Sequence, residues 1–325
     1  MHAPIAATFR FDPRAETRIQ PGRMNVTTWT PRNAARLAAL MALALGGGAG
    51  AAGLPEDALQ RRCWLEHTAE RTAADLREPT SVTFSNLRNG YTVRSPFWIE
   101  FGIRGMGVIP AGNPNGRAGH HHLLVDTPLP ANHTEKIPFS ATHRHFGKAQ
   151  TGTALDLPPG KHTLRLLFAD HDHRPYFVYS REITVNVAAK RSDAAPVIDA
   201  SRFDATCARW YEDEVSSPRT AAKEVYVKNV RDGEPVRSPF VVSLGVAGFG
   251  VAPAASQVKD TGHFVLTVTR AKAPVSRIDL ADGRTETLMD LPRGDYELEV
   301  SFVGTGDTTL LKAAPLRVPV GRNDM

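Results

Sequence analysis

Apolar and polar positions alternate along much of the chain, and this alternation predicts β-strands. In residues 97–103 the apolar side chains Phe, Ile, Phe and Ile occupy every second position, which is the period of a strand with one buried face. The same alternation recurs at residues 164–168 and 298–302. Asn89-Gly90 and Asp232-Gly233 are turn dipeptides typical of hairpins. Several short strands with such turns favour an all-β fold of immunoglobulin-like antiparallel sandwiches.

The strand pattern occurs twice, because blocks of sequence recur at a nearly constant offset. Asn86–Gly90 and Val93–Phe97 reappear as Asn229–Gly233 and Val236–Phe240, an offset of 143 residues. Blocks after residue 140 recur at an offset of 134, so the second copy is nine residues shorter. Self-similarity of this kind indicates tandem domains. We expect a His-rich sandwich at 80–188, a linker at 189–220 and a degenerate second sandwich at 221–322.

The N-terminal part departs from the strand pattern. Residues 53–79 are rich in Ala, Leu, Glu and Arg and predict a helical segment ahead of the first sandwich. Residues 1–52 resemble a leader with a signal peptide: arginines, then the apolar run Leu37–Leu45, then small residues. Met24 is an alternative start of this leader. The apolar run is too short to span a bilayer, so the mature chain is expected to lack a transmembrane segment and to be periplasmic or secreted.

The charge balance gives no support for a nucleic-acid partner. The 325-residue chain has a formal net charge of +5 and an isoelectric point near 9.3. Residues 1–51 contain six arginines and two acidic residues, and without them 33 basic residues stand against 32 acidic ones. The mature chain is therefore nearly neutral, and no basic run with interleaved aromatic residues is present.

Two cysteines, Cys63 and Cys207, each stand just upstream of one repeat. Export would place them in an oxidising compartment, where a disulfide between them is plausible. Two free buried thiols are the alternative.

Histidines concentrate in the first repeat. Nine of the twelve lie between positions 120 and 173. Three blocks each hold two histidines two residues apart, a spacing that places both rings on one face of an extended strand. Neutral imidazole suits copper and zinc. The candidate metal ligands are His120, His121, His122, His143, His145, His171 and His173, with Asp126, Asp170 and Asp172 as carboxylates that would accept hydrogen bonds from the rings and orient them.

The second repeat acts as an internal control for these histidines. It has Phe264 and Val265 in place of His121 and His122. Elsewhere it has Arg277, Asp279, Thr305 and Asp307 at the positions equivalent to His143, His145, His171 and His173, and only His120 keeps a counterpart, His263. The fold therefore does not require the histidines, and their joint loss indicates that they act as a group. Structural roles remain open for His121, which aligns with Phe264, and for His162, which aligns with Tyr296.

Four blocks of the first repeat, in order, resemble one bacterial family. They are Gly105–Gly112, Gly119–Asp126, His143–Gly147 with Gln150-Thr151, and Leu157–Leu164 followed by Asp170–His173. These blocks are similar to the domain-of-unknown-function 4399 family over residues 80–187, with a degenerate second copy. The resemblance implies an exported bacterial domain without an assigned activity. This chain has Tyr176 where the family pattern has a further histidine, and Gly152 where it has an acidic residue.

Three functions are compatible with these features. The first is a periplasmic protein that binds copper or zinc in its first repeat, as a chaperone or sequestering protein. The second is a non-catalytic envelope module without metal, with an envelope protein as partner; a polar ligand site without metal is a related alternative. The third is a metal-dependent hydrolase with Asp126 or Asp172 as general base. Catalysis is the less favoured reading, because the chain has no nucleophile elbow, phosphate loop or reactive-cysteine context.

Overall fold

The structure is a computed structural model that describes residues 52–69, 80–132 and 134–322. The predicted leader, apart from residue 52, lies outside these residues, as do residues 70–79 of the predicted helical segment. In the described part the expected fold class is confirmed: two immunoglobulin-like β-sandwiches follow one another, preceded by a short helix. No helix among the described residues is long and apolar enough to cross a membrane.

The first repeat has a small and a large sheet packed face to face. Its described strands are β1 (Ser81–Phe84), β2 (Thr92–Ser95), β3 (Phe97–Arg104), β4 (Gly107–Val108), β5 (Ala118–Val125), β6 (His143–His145), β7 (Gly152–Leu155), β8 (Gly160–Ala169), β9 (Pro175–Tyr179) and β10 (Ile183–Lys190). The small sheet has the order β1-β3-β7. The large sheet has the order β2-β10-β8-β5-β4, with β6 paired to β5 and β9 paired to β8.

The second repeat reproduces this topology strand by strand. Its described strands are β11 (Glu224–Val227), β12 (Val236–Ser238), β13 (Phe240–Ala247), β14 (Gly250–Val251), β15 (Thr261–Arg270), β16 (Ala273–Asp279), β17 (Glu286–Met289), β18 (Gly294–Val303), β19 (Thr309–Lys312) and β20 (Leu316–Arg322). The sheet orders β11-β13-β17 and β12-β20-β18-β15-β14 match those of the first repeat. The internal repeat seen in the sequence is therefore a repeat of structure.

Two details of the pairing differ from expectation. Asn89-Gly90 does not join a hairpin, because β1 lies in the small sheet and β2 in the large one. The turn instead carries the chain from one sheet to the other, with Gly90 at a φ of 91°. The sandwiches are also not wholly antiparallel: β2 runs parallel to β10, β12 to β20, β4 to β5 and β14 to β15.

The alternation read from the sequence corresponds to the core. Phe97, Ile99, Phe101 and Ile103 of β3 are fully buried, as are the alternating apolar residues of β8 and β18. Burial of this apolar surface is the main stabilising contribution to such a sandwich. The core residues of both repeats form one continuous cluster.

The two sandwiches are joined by contacts with approximate twofold symmetry. The N–H of Val108 donates to the carbonyl of Gly283 at 2.9 Å, and the N–H of Val251 donates to that of Ala149 at 3.0 Å. Val251 and Gly283 are the equivalents of Val108 and Ala149 in the second repeat. Each repeat thus supplies the same two elements to the junction, as in an isologous dimer interface.

The helices lie beside the sandwiches. Helix α1 (Ala58–Thr68) begins at Asp57, whose side chain accepts from the N–H of Gln60. The predicted linker 189–220 is more structured than expected, since it contains helix α2 (Phe203–Val215). A disulfide joins Cys63 of α1 to Cys207 of α2. Around it the helices share a small apolar core that includes Trp64 and Trp210.

Candidate functional site

The first histidine block lies on β5, and strand alternation splits it between two faces. The His121 ring points into the sandwich core, with its centroid 5.0 Å from those of Phe101 and Phe168. His120 and His122 lie on the opposite, outer face of the sheet. All three are buried, so both faces of β5 are covered.

Strand β6 brings a third ring to this outer face. His145 is the cross-strand partner of His122, and directly opposed residues share one face of a sheet. Its ring centroid lies 4.8 Å from that of His120 and 5.0 Å from that of His122. The register of two neighbouring strands therefore gathers three imidazoles.

The turn between β8 and β9 brings a fourth ring. His173 has a φ of 67°, a left-handed conformation that the turn imposes. The Asp170 carboxylate holds the turn by accepting from the N–H groups of Asp172 and Arg174. The His173 centroid lies 5.1 Å from that of His120 and 4.7 Å from that of His145. We call His120, His122, His145 and His173 the histidine pocket.

The long connection between β5 and β6, residues 126–142, covers the pocket. Ile137 is buried against Leu167 and Ala169 on the outer face of β8. Phe139 lies over the pocket, with its ring stacked on His145 at 4.6 Å and edge-on to His173 at 4.9 Å. Phe139 is itself 59% exposed, so it forms the solvent side of the cover.

The nitrogens of the pocket face one another with few other partners. The Nε2 atoms of His120 and His122 lie 3.0 Å apart, so one of the two carries the shared proton. One nitrogen each of His120, His122 and His145 lies within 4.8 Å of the others. Four buried nitrogens of the pocket have no hydrogen-bond partner among the described residues, namely Nδ1 of His120, Nδ1 of His122, Nε2 of His145 and Nε2 of His173.

Burial favours the neutral form of three imidazoles of the pocket, those of His120, His122 and His145. Burial, and then the neighbouring His145 and His173, lower the pKa of His120 to about 3. Burial and the other pocket histidines lower the pKa of His122 to about 2. The pKa of His145 is also lowered, by burial and then by His173. Neutral imidazole is the form that binds a metal ion.

Not every predicted ligand joins the pocket. His143 opposes Leu124, two residues beyond His122 on β5, and its Nδ1 lies 3.3–3.4 Å from the hydroxyls of Thr142 and Ser140. His171 precedes the His173 position in the turn and makes no ring contact with the pocket in the described structure. His121 faces the core, where burial and then Lys228 lower its pKa to about 3.

The three predicted carboxylates also have other partners. Asp126 accepts from the N–H of Thr163 and pairs with His162 Nδ1 at 2.7 Å. Burial opposes the charge on His162, but its hydrogen bonds with Asp126 and the Pro158 carbonyl raise its pKa. Asp170 holds the turn, as described above. Asp172 pairs with Arg174 at 2.7 Å and with Lys136 at 3.5 Å.

His162 has a structural counterpart in the second repeat. Its Nε2 lies 2.9 Å from the carbonyl of Pro158, and the hydroxyl of Tyr296 donates to the equivalent carbonyl of Pro292 at 3.0 Å. The alignment of His162 with Tyr296 therefore reflects a shared contact, and His162 lies outside the pocket.

At the equivalent place the second repeat has an ordinary polar pair. His263 Nε2 lies 3.1 Å from a carboxylate oxygen of Asp279, the counterpart of His145. Val265 replaces His122. Strands β15 and β16 are joined through Ala271 and Lys272, without a covering connection. The second repeat thus satisfies its one retained histidine with a carboxylate.

Two residues that the sequence analysis did not single out shape the pocket. Phe139 belongs to the connection that the second repeat lacks. Gly147 lies directly under the His145 ring, and a Cβ at this position would collide with that ring. The second repeat has Ala281 there, where Asp279 replaces His145. This paired change of histidine with glycine was the available sequence signal for Gly147.

A second group of buried titratable residues lies between the repeats. Glu100 and Glu286 lie on β3 and β17, and Glu286 takes the position equivalent to Gly152. Lys228 donates to the carbonyl of Phe101 at 2.6 Å. Burial lowers the pKa of Lys228 and raises those of both glutamates, while the attraction between the lysine and the two carboxylates opposes these shifts. The lysine and the two carboxylates partly compensate one another's charges at the junction of the sandwiches. This indicates a structural role for the group.

The predicted disulfide explains a further cluster of ligand-type residues. Cys63, Cys207 and His67 lie close together, but the two sulfurs are bonded to each other. His67 stacks on Tyr211 with ring centroids 4.4 Å apart. In this oxidised form the cluster offers no thiolate to a metal.

Both repeats match the model of a known protein family. The model of a family described as "Domain of unknown function (DUF4399)" matches residues 99–188 and 242–320, together just over half of the chain. Among proteins with curated descriptions, none matches.

Similar solved structures include modules of the fibronectin type III kind. The fibronectin(III)-like modules of Clostridium thermocellum CbhA are 10% identical, with 74% of this chain and 94% of that chain covered and a TM-score of 0.20. The FN1–FN3 domains of chicken CNTN1 are 8% identical, with coverages of 75% and 66% and a TM-score of 0.20. A two-domain fibronectin type III segment of chicken tenascin is 12% identical, with coverages of 74% and 97% and a TM-score of 0.17.

Proposed function

This chain belongs to the DUF4399 family, with one copy in each repeat, and we propose that its function resides in the first copy, which carries the histidines. The protein is an exported module that binds one transition-metal ion, zinc or copper, in the histidine pocket. The second repeat serves as its structural partner.

The observation that carries this proposal is the state of the pocket nitrogens. Four imidazoles converge in a covered pocket, and a buried nitrogen of each lacks a hydrogen-bond partner among the described residues. Leaving a buried polar atom unpaired costs about 1–3 kcal/mol. The second repeat avoids this cost with Val265 and with the His263–Asp279 pair. A metal ion held by rings of this pocket would give buried imidazole nitrogens a partner and so offset part of the cost in the first repeat.

The donor set favours zinc or copper over other ions. Imidazole nitrogen is a ligand of intermediate softness that suits these metals, whereas magnesium and calcium require oxygen ligands. Asp126, Asp170 and Asp172 are bound to His162, to backbone N–H groups and to Arg174. The pocket is therefore a nitrogen site.

Retention or transfer of metal fits the geometry better than hydrolysis does. A metal-dependent hydrolase needs a general base beside the metal. The two carboxylates considered for that role, Asp126 and Asp172, are paired with His162 and Arg174. Export is supported by the leader pattern of residues 1–52 and by the Cys63–Cys207 disulfide, which is typical of oxidising compartments.

The test is a metal titration of the full chain and of matched variants. Zinc and copper(II) are titrated against a chromophoric chelator, and we expect one ion per chain. His122→Ala should weaken binding by about 100-fold or more, since four-ligand zinc sites bind with roughly 10–16 kcal/mol in total. The controls His143→Ala and His263→Ala should retain wild-type affinity.

Two outcomes would contradict the proposal. One is a wild-type chain that binds neither metal more tightly than the chelator. The other is an equal loss in the control variants, which would place the ion elsewhere. Circular dichroism of each variant checks that the sandwich is intact, and His122→Val, which copies Val265 of the second repeat, provides a second variant suited to folding.

A further inference from the structure

We infer that the metal centre takes three protein ligands, His120, His122 and His145, and that its fourth position, between His173 and Phe139, takes a small exogenous ligand. That ligand is water or a monovalent anion of a few atoms. The inference rests on the proposed function and adds to it the ligand class of the site.

The distance to His122 distinguishes His173 from the other three histidines, although its ring centroid lies 5.1 Å from that of His120 and 4.7 Å from that of His145. His120, His122 and His145 each offer a nitrogen within 4.8 Å of the others, and His173 does not belong to that group. Its ring centroid lies 6.0 Å from that of His122, while the centroids of the trio lie 4.8–5.0 Å apart. The nitrogens of His173 therefore lie outside the group of three that one ion could share.

Backbone hydrogen bonds hold the main chain at His173 in the turn. The N–H of His173 donates to the carbonyl of Asp170 at 3.0 Å, and the carbonyl of His173 accepts from the N–H of Ile137 at 2.9 Å. The Asp170 carboxylate holds the residues on either side. A displacement of the His173 main chain toward the trio would break its contact with Ile137 of the covering connection.

The Nε2 atom of His173 is buried, and it nevertheless lacks a hydrogen-bond partner among the described residues. The Nε2–H of a neutral imidazole is a hydrogen-bond donor. A ligand held by the trio and lying toward His173 would accept from this group, as partners outside the coordination sphere commonly do at metal sites.

Charge compensation favours an anion in that place. Three neutral imidazoles leave a divalent ion with its full charge in a buried pocket, and an uncompensated buried charge is strongly unfavourable. The nearby carboxylates Asp126 and Asp172 are paired with His162 and Arg174. An anion brought by the solvent would supply the missing charge.

The walls of the fourth position limit the size of this ligand. The Phe139 ring lies 4.6 Å from His145 and 4.9 Å from His173, centroid to centroid. Ile137 and Leu167 pack beneath the same connection. These rings are in contact with one another, so the exposed Phe139 must move to admit a ligand, and a ligand of two or three atoms requires the smallest movement.

The experiment uses cobalt(II) as the metal and azide as the probe. Cobalt(II) in the full chain gives visible absorption that depends on its ligands, and azide is a monovalent anion of three atoms. We expect a saturable spectral change with one azide per cobalt. His173→Ala should keep cobalt bound and weaken azide by about 10-fold or more, because it removes a hydrogen bond to a charged group.

His171→Ala, in the same turn, is the matched control and should bind azide like the wild type. Cobalt bound one to one with no response to azide would overturn the inference and leave the metal-binding function standing. A loss of about 100-fold in cobalt affinity in His173→Ala would also overturn the inference and leave the metal-binding function standing, since His173 would then be a fourth ligand. Failure of cobalt and zinc to bind at all would overturn the proposed function itself.

Discussion

The two repeats share a fold strand by strand, and one of their differences lies on the outer face of the large sheet. On the outer face of β5 the first repeat gathers four imidazoles under a long connection. On the outer face of β15 the second repeat has His263 paired with Asp279. Two backbone contacts that join the repeats, Val108 to Gly283 and Val251 to Ala149, are equivalent on both sides. The second repeat forms the same sheets with only His263 retained, so the strand arrangement does not depend on the other histidines.

The changes between the repeats are coupled to one another in space. His145 and Gly147 in one repeat correspond to Asp279 and Ala281 in the other. Glycine is needed only beneath the histidine ring. Among the described residues, the long covering connection likewise occurs in the first repeat, which has the histidine pocket, and not in the second. This coupling is what a functional group of residues requires, and it suggests experiments that exchange residues between the repeats.

The largest expected effect comes from His145→Asp, which gives the first repeat the pair found in the second. The carboxylate would accept from His120 as Asp279 does from His263. We expect zinc affinity to fall by about 100-fold or more, because one of few ligands leaves the shared point. The reciprocal Asp279→His should not create a second site, since Val265 and the short β15–β16 turn remain. Zinc stoichiometry by competition titration checks both; two ions per chain in Asp279→His would contradict the account.

A smaller effect is expected from Gly147→Ala. The new Cβ would push the His145 ring away from His120 and His122, and displacement of a ligand's supporting contacts typically costs about 10–100-fold in metal affinity. Ala281→Gly, the matched change in the second repeat, should leave affinity unchanged. Equal zinc affinities for Gly147→Ala and the wild type would show that the ring position is not needed.

The pH dependence of stability should differ between the repeats through His121. Burial lowers its folded-state pKa to about 3, from 6.5 in the unfolded chain. The unfolded chain therefore binds a proton first as the pH falls, and stability is lost from about pH 6.5 downward. At pH 5 the loss from His121 is about 2 kcal/mol, at 1.36 kcal/mol per unit of pKa.

His121→Phe, which copies Phe264, should remove this contribution. The difference in unfolding free energy between the variant and the metal-free wild type should grow as the pH is lowered from 7 to 5. Urea unfolding at both pH values in the presence of a chelator measures it. Parallel pH profiles for the two proteins would rule out a neutral buried His121.

The smallest expected effect belongs to Phe139→Ala. An exposed side chain that binds no metal should change affinity by about twofold, the scale of surface substitutions. Release of zinc should become faster, because the cover over the pocket is opened. Stopped-flow release to a chelator measures the rate, with Val275→Ala, an exposed residue of β16, as control. A release rate equal to that of the wild type would exclude Phe139 as the cover.

Much of this arrangement could be predicted from sequence because it follows from strand periodicity and from the repeat. The alternation located the cores of β3, β8 and β18, and the alignment with Phe264 and Tyr296 indicated structural roles for His121 and His162. The two turns within the repeats were harder. Asn89-Gly90 has hairpin chemistry, but the sandwich uses it to change sheets, which depends on long-range pairing.

The membership of the pocket could not be predicted for a related reason. Period two places His143 and His145 on one face, but successive positions on that face lie about 6.6 Å apart along a strand. The register of β6 against β5 decides which of them meets His122. Likewise, the left-handed turn held by Asp170 selects His173 rather than His171. Neither the register nor the turn is encoded in the spacing of the histidines alone.

The central claim is that His120, His122 and His145 hold one metal ion, and anomalous diffraction from zinc-loaded crystals tests it most directly. We predict a single anomalous peak at the zinc edge in the first repeat, about 2.0–2.1 Å from one nitrogen of each of these three rings. A peak at the exposed side of His143 or His171, or no peak in the histidine pocket at full zinc loading, would contradict the account.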